Sequence, residues 1–274
     1  MKNNIVGKTS KLIRAVVEII RNPWLLNLVL ADNSLWLKYV LRKFVPNPEF
    51  PVILPDEVIP GFNHTIDVLT SFDGGCIPAD LALLKALCRK FPECSYFEIG
   101  TWRGESVKNV SGVAAVCYTL DLTKEDISRK KLPESYHQTI GNLSEGIKKV
   151  THLKGDSMKF DFSSLKRKFD VVFIDGDHRH EYVRNDTAKV FRHLVHDKSI
   201  VVWHDYASSP GRVRYEVLAG ILEGIPEKHR KCIYQISGSK CALFTREKIN
   251  PDTFLTTAIH DSLFRVTCES YPSQ

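Results

Sequence analysis

The chain has no apolar run long enough to cross a bilayer. Its best stretch, Leu12 to Leu30, is broken by Arg14, Glu18, Arg21, Asn22, Pro23 and Asn27, well short of the roughly 18–20 uninterrupted apolar residues required. No small-residue cleavage site closes that stretch, so it reads poorly as a secretory leader. None of the seven cysteines (Cys76, Cys88, Cys94, Cys117, Cys232, Cys241, Cys268) forms a CxxC pair or stands with His at zinc-finger spacing. Their odd number argues against a disulfide framework, and the expectation is reduced thiols in a cytoplasmic protein. Internal repeats and low-complexity segments are missing as well. Nor does the body of the chain carry excess charge. Residues 1–45 hold eight basic and two acidic residues, which accounts for the whole formal net charge of +6; the remainder is balanced. A nucleic-acid partner is therefore not expected.

What is present is ample material for a core: 274 residues, 43% of them apolar and 26% charged. That suits one large domain, or one domain with an appendage. In the basic segment, Leu12, Ile13, Val16, Val17 and Ile20 share one helical face, and Asn22-Pro23 should end that helix. A second apolar helix is predicted from Trp24 to Phe44, interrupted near Asp32-Asn33-Ser34. Five prolines (46, 48, 51, 55 and 60) follow within fifteen residues, which reads as a linker or wrapping arm. The boundary is placed at 60, giving an appendage of residues 1–60 and a main domain of 61–274. The stripe reads first as packing surface, a cap over the site or an interface in a homo-oligomer. Its basic bias supports a second reading, a peripheral anchor at the inner face of the membrane.

From about residue 76 the pattern alternates. Strands are predicted at Tyr96–Ile99, Val116–Leu120, Thr151–Leu153, Val171–Ile174 and Ile200–Trp203. Helices are predicted at Glu105–Ser111, Glu181–Val195 and Arg212–Leu222. Cys232–Ile236 and Cys241–Thr245 flank a Ser-Gly-Ser-Lys turn and read as a hairpin. The class is α/β, a mostly parallel sheet finished by an antiparallel hairpin.

In such sheets ligands bind beyond the carboxyl ends of the strands. The first strand runs into Glu98-Ile99-Gly100-Thr101-Trp102-Arg103-Gly104-Glu105-Ser106, a glycine turn that opens a helix. Trp102 replaces the middle glycine of a dinucleotide fingerprint, which disfavours NAD. Asp121 ends the second strand at the position where nucleoside-binding folds grip ribose hydroxyls. Gly155-Asp156-Ser157 follows the third strand. The fourth drives into Asp175-Gly176-Asp177-His178 and the fifth into His204-Asp205. Asp175, His204 and Asp205 would converge as a divalent-metal site. The long stretch from Thr123 to Lys149 is read as a lid or substrate wall, joined by Pro60–Cys76 with His64 and Asp73. Arg212 and Arg214 could meet an acidic or glycosidic acceptor, although a solvated helix start is the safer reading.

These motifs, FEIGTWRGES (97–106), the KGDS turn, IDGDHRHEYVRND (174–186) and VVWHDY (201–206), resemble class I S-adenosylmethionine-dependent methyltransferases across residues 76–246. Within that superfamily they look like the small-molecule O-methyltransferases of the macrocin and mycinamicin type. Catechol-type enzymes and cephalosporin-hydroxylase-like proteins are more distant. The resemblance is specific for cofactor class and unspecific for substrate. It implies a Rossmann-like sheet, with Glu98, Gly100, Thr101, Gly104 and Ser106 around the methionine part of S-adenosylmethionine. Asp121 would lie on the ribose, Asp156 and Ser157 beside the adenine, and Asp175 close to both cofactor and reaction. It also implies Mg²⁺ on Asp175, His204 and Asp205, and His178 as the group taking the acceptor's proton. His204 departs from catechol-type relatives, which carry a carboxylate there, so Mn or another ion is admitted. The expected function is methyl transfer to a hydroxyl of a small-molecule acceptor such as a sugar. Metal-independent O- or N-methylation, and a non-catalytic scaffold docked through the basic N-terminus, remain open.

Overall fold

A computed structural model describes residues 2–44, 49–68, 75–209 and 212–249. Asp73, Cys268 and the linker prolines 46 and 48 lie outside the described residues. The chain divides into two compact units, Met1–Pro48 and Glu49–Gln274.

The first unit is helical. α1 covers Lys2–Arg21, α2 Leu25–Leu30 and α3 Asn33–Lys43. Asp32 caps α3 by accepting from the Ser34 amide, so the polar triplet expected to interrupt the second helix starts a new one. No helix among the described residues is long and apolar enough to cross a membrane.

The second unit opens with β1 (Val52–Ile53), α4 (Pro55–Val58) and α5 (Pro78–Arg89). Next come β2 (Ser95–Ile99), α6 (Glu105–Ser111), β3 (Val116–Asp121), α7 (Lys124–Arg129), α8 (Glu134–Thr139) and β4 (Val150–Lys154). β5 (Phe169–Ile174), α9 (His180–His193) and β6 (Val195–Trp203) follow, then a small ribbon of β7 (Ala207–Ser209) and β8 (Arg212–Val213). α10 (Tyr215–Gly224), β9 (Ile233–Ile236) and β10 (Ala242–Phe244) finish the described chain.

Eight strands form one sheet in the order β1-β9-β10-β6-β5-β2-β3-β4. β4, β3, β2, β5 and β6 are parallel, whereas β10 runs antiparallel to both β6 and β9. The central strands are apolar on both sides because helices cover both faces. Tyr96, Val171, Phe173 and Val202 pack with Leu83, Leu84 and Leu87 of α5 and Val107 and Val110 of α6. Residues of opposite parity face the other layer, where Trp203 and Phe244 meet Phe191 of α9.

Two sequence expectations need correction. The proline-rich stretch is not all linker: Val52 and Ile53 pair in parallel with Gln235 and Ile236, and Pro55 starts a helical turn at its first position. An edge strand loses nothing to neighbouring prolines, and the first helical position needs no amide donor. The compact division accordingly falls at 48 rather than 60. Second, Arg212 and Val213 are not helical; they pair with Ser209 and Ala207, and α10 begins only at Tyr215.

Candidate functional site

Chain order reverses between β2 and β5. From β2 the chain proceeds outward to β3 and β4, then returns to the other side as β5 and β6. The carboxyl ends of β2 and β5 therefore feed loops that diverge, and a crevice opens between them. Three backbone bonds align the strand ends: Gly100 donates to the Leu120 carbonyl, Asp175 to Ile99 and His204 to Ile174.

The β2 turn is tight for a physical reason. Gly100 has φ +96°, and a Cβ there would stand 2.1 Å from the Asp175 carbonyl oxygen. Trp102 also holds a left-handed conformation, with φ +42°. The position lacking a glycine thus still adopts the glycine-like backbone. Gly104 sits at φ +85° ahead of α6, packed against Ser144. Asp121 fastens this turn to β3: its Oδ2 accepts from the amides of Thr101 (3.0 Å) and Trp102 (2.7 Å). Its Oδ1 takes the Leu122 amide at 2.7 Å and faces the Tyr136 hydroxyl at 3.4 Å. Burial raises the Asp121 pKa against the pull of these amides.

Glu98 lies on the α5/α6 side of β2 and is fully buried. It accepts from the hydroxyls of Tyr96 (2.7 Å), Ser106 (2.8 Å) and Thr119 (2.8 Å), and Thr119 bonds in turn to Thr101. Burial pushes its pKa up to about 8 despite these donors. Three residues expected around the cofactor's methionine part, Glu98, Thr101 and Ser106, thus belong to one internal network. Asp156 is held by Lys130 at 3.0 Å and Arg129 at 3.6 Å, while the Ser157 carbonyl accepts from Lys189.

Beyond β5 and β6, Asp175, Asp177, His178, His204 and Asp205 line a narrow recess, closed on its apolar side by Val183, Trp203 and Val217. His204 is its centre. Its side chain is 3% exposed, with Nε2 3.0 Å from Asp80 Oδ2 on α5. Asp80 is itself fixed by the Ser239 hydroxyl (2.6 Å) and by the amides of Lys240 and Ile77. On the ring's other side, Nδ1 lies 3.0 Å from Asp175 Oδ1 and 3.6 Å from Asp205 Oδ2. Neither approach is directed as a hydrogen bond, so this buried nitrogen has no hydrogen-bond partner. Burial opposes charge on the ring, yet the facing carboxylates raise the His204 pKa well above the imidazole value. Burial raises Asp175. Asp205, adopting φ +55°, is drawn the other way: burial would raise it, but His204, and Arg214 with Nη1 at 3.2 Å, hold it far below the carboxylate range.

The orphaned Nδ1 beside two carboxylates suits a divalent cation, and Asp80 behind Nε2 supplies the outer carboxylate that orients metal-binding histidines. Among the described residues one group has donor atoms within 4.8 Å of one another: Cys76, Asp175 and His204. Cys76 Sγ stands 3.8 Å from Asp175 Oδ2, and burial pushes this thiol up to about 12. Asp205 faces Arg214 as well as the imidazole. His178 is half exposed, with Nδ1 3.9 Å from Asp205 Oδ2.

Asp80, Cys76 and Tyr136 were not singled out from the sequence. Each reaches the site from a distant segment, and only the length of the Thr123–Lys149 excursion hinted at Tyr136. The same excursion carries the Lys130 and Arg129 contacts to Asp156. Arg214 does meet a carboxylate, but one belonging to the protein.

Residues 97–206 match a family model described as a methyltransferase domain, and the strand order is that of class I methyltransferases: five parallel strands with the switch at β2/β5, then an antiparallel hairpin. The second unit thus has the Rossmann-like class I methyltransferase fold. No curated protein matches the chain. Among solved structures, a methyltransferase of Podospora anserina bound to S-adenosylhomocysteine aligns at 15% identity and TM-score 0.39, over 50% of this chain and 56% of that one. A S-adenosylmethionine-bound amino pentose methyltransferase from Micromonospora echinaspora, involved in calicheamicin biosynthesis, aligns at 15% identity and TM-score 0.36, over 52% and 58%. DesVI of Streptomyces venezuelae aligns at 19% identity and TM-score 0.32, over 46% and 49%. The chain spans about half the length of these structures.

Proposed function

We propose that this protein transfers a methyl group from S-adenosylmethionine to a hydroxyl of a small molecule, a sugar or glycosylated metabolite, at the carboxyl ends of β2, β3, β5 and β6. The observation that carries the reading is Asp121. A buried carboxylate ends β3 and binds the backbone of the glycine turn, which supports reading it as the acceptor for ribose hydroxyls in a sheet of this kind. S-adenosylmethionine supplies a methyl group on a sulfonium, open to in-line attack. Gly100 keeps the turn close to β5, and Asp121 would orient the ribose. Most of the catalytic demand is alignment. His178, half exposed at the recess, would take the acceptor's hydroxyl proton as the carbon–oxygen bond forms and the carbon–sulfur bond breaks.

Asp175, His204 and Asp205 would hold a divalent ion, which would lower the pKa of a bound hydroxyl and fix its direction. Cys76 and the imidazole shift the preference from Mg²⁺ toward Mn²⁺, Zn²⁺ or Fe²⁺, because soft and borderline donors suit those ions better.

Calorimetric titration with S-adenosylmethionine tests the core of the reading. Saturable binding is expected, and Asp121→Ala should weaken it by about tenfold to a hundredfold, the worth of hydrogen bonds to a charged group. A folded protein that gives no binding heat sinks the proposal. For the metal, cobalt titration followed by visible absorption should give tetrahedral-type bands in the native chain. Asp80→Asn should weaken uptake by about tenfold to a hundredfold through loss of ring orientation. Turnover unchanged by chelation, with no cobalt spectrum, would favour metal-independent methylation.

A further inference from the structure

The first unit presents an apolar surface that catalysis does not use. Along α1, Leu12, Ile13, Val16 and Ile20 lie on one face and are exposed, Ile20 to 73%. Trp24 follows at 61%, and α2 buries none of its residues. Single exposed apolar side chains are ordinary, but a contiguous run on two successive helices marks an interaction surface. The opposite side of α1 carries exposed Lys11 and Arg14 together with Glu18, which is paired with Arg21 at 3.6 Å, and Lys8 stands at the border between the two faces.

We infer that this face docks on an anionic phospholipid surface, with α1 lying in the interface plane. Charge decides between the occupants. Residues 1–45 hold eight bases against two acids, so a second copy of this segment would add more positive charge and offer it no complement. An anionic bilayer offers the complement, acyl chains under the apolar face, headgroups beside Lys8 at its border, and a negative surface for the net positive charge of the segment. Trp24, capping α2 just beyond α1, is the residue type that favours this boundary. At 20 residues α1 could span a bilayer in length, yet it is too polar to enter one. It lies on the surface.

The test is co-sedimentation of the full chain with phosphatidylcholine vesicles and with vesicles containing roughly one-third phosphatidylserine. Binding is expected on the anionic vesicles only, and it should weaken with salt. Replacing Lys8, Lys11 and Arg14 by Gln should lower partitioning by about a hundredfold, at about fivefold per basic side chain. The pair Val16→Ser and Ile20→Ser should abolish it while leaving the melting of the second unit unchanged. Equal partitioning onto both vesicle types, or none onto either, overturns the inference. So does a concentration-dependent dimer that the serine pair dissolves without any vesicle binding in the native chain, because a second copy would then be the occupant. The readout does not depend on cofactor binding, so this inference and the proposed function can fail separately.

Discussion

Gly100→Ala should destabilise the fold by about 3 kcal/mol and abolish S-adenosylmethionine binding. Two costs combine: a left-handed backbone costs an L-residue about 1–2 kcal/mol, and overpacking adds about 1–3 kcal/mol. The second cost cannot relax through a rotamer change, because the new Cβ would meet the Asp175 carbonyl carbon and oxygen at 2.5 and 2.1 Å. Those atoms are backbone at the end of a central strand. Moving them moves Asp175 and opens the crevice between β2 and β5. Gly112→Ala is the control: its φ of −67° is ordinary and the nearest atom to an added Cβ is at 3.6 Å. Urea unfolding of the two variants measures the contrast. A Gly100→Ala protein within about 1 kcal/mol of the parent would mean that the turn is not held as described.

Glu98→Gln should remove a pH dependence of stability. The Glu98 carboxyl titrates near 8 in the folded chain against an ordinary value of 4.5. Between those values the folded state keeps a proton that the unfolded state releases, so stability falls as pH rises. The loss is small at pH 4 and reaches about 4 kcal/mol at pH 8, since each pH step between the two values costs about 1.4 kcal/mol. Glutamine is neutral throughout and can still accept from the Tyr96, Ser106 and Thr119 hydroxyls that surround position 98. The variant should therefore lose less stability than the parent from pH 5 to 8, the gap between the two widening by about 1.4 kcal/mol per pH step. Parallel pH profiles for the two proteins would show that Glu98 is ionised in the core.

Much of this architecture was legible in the chain itself. The strands Tyr96–Ile99, Val171–Ile174 and Ile200–Trp203 stand out because they are buried on both faces and read as continuous apolar runs. The helix at 105–111 and the terminal hairpin were readable for similar local reasons. The polar residues that end these strands had to gather at one edge of the sheet, because parallel strands share a direction. Asp175 and His204 could thus be expected as neighbours before any coordinates.

Other features had no local signal. The Val52–Ile53 strand is two residues long among prolines, and it exists only because β9 offers an open edge. Asp80 looks like an ordinary first-turn acid of α5, yet it lies against His204 across 124 positions of chain. Cys76 reads as one reduced thiol among seven, and Tyr136 as one aromatic in a polar excursion, until the fold brings Cys76 beside Asp175 and Tyr136 beside Asp121. The sequence by itself determined the sheet, its direction and the acids and imidazoles at its carboxyl edge, since local periodicity and strand polarity suffice for those. Only the tertiary structure decided which carboxylate holds which face of His204, and which side chains close over Asp121, because such contacts join distant segments and depend on distances that no spacing encodes.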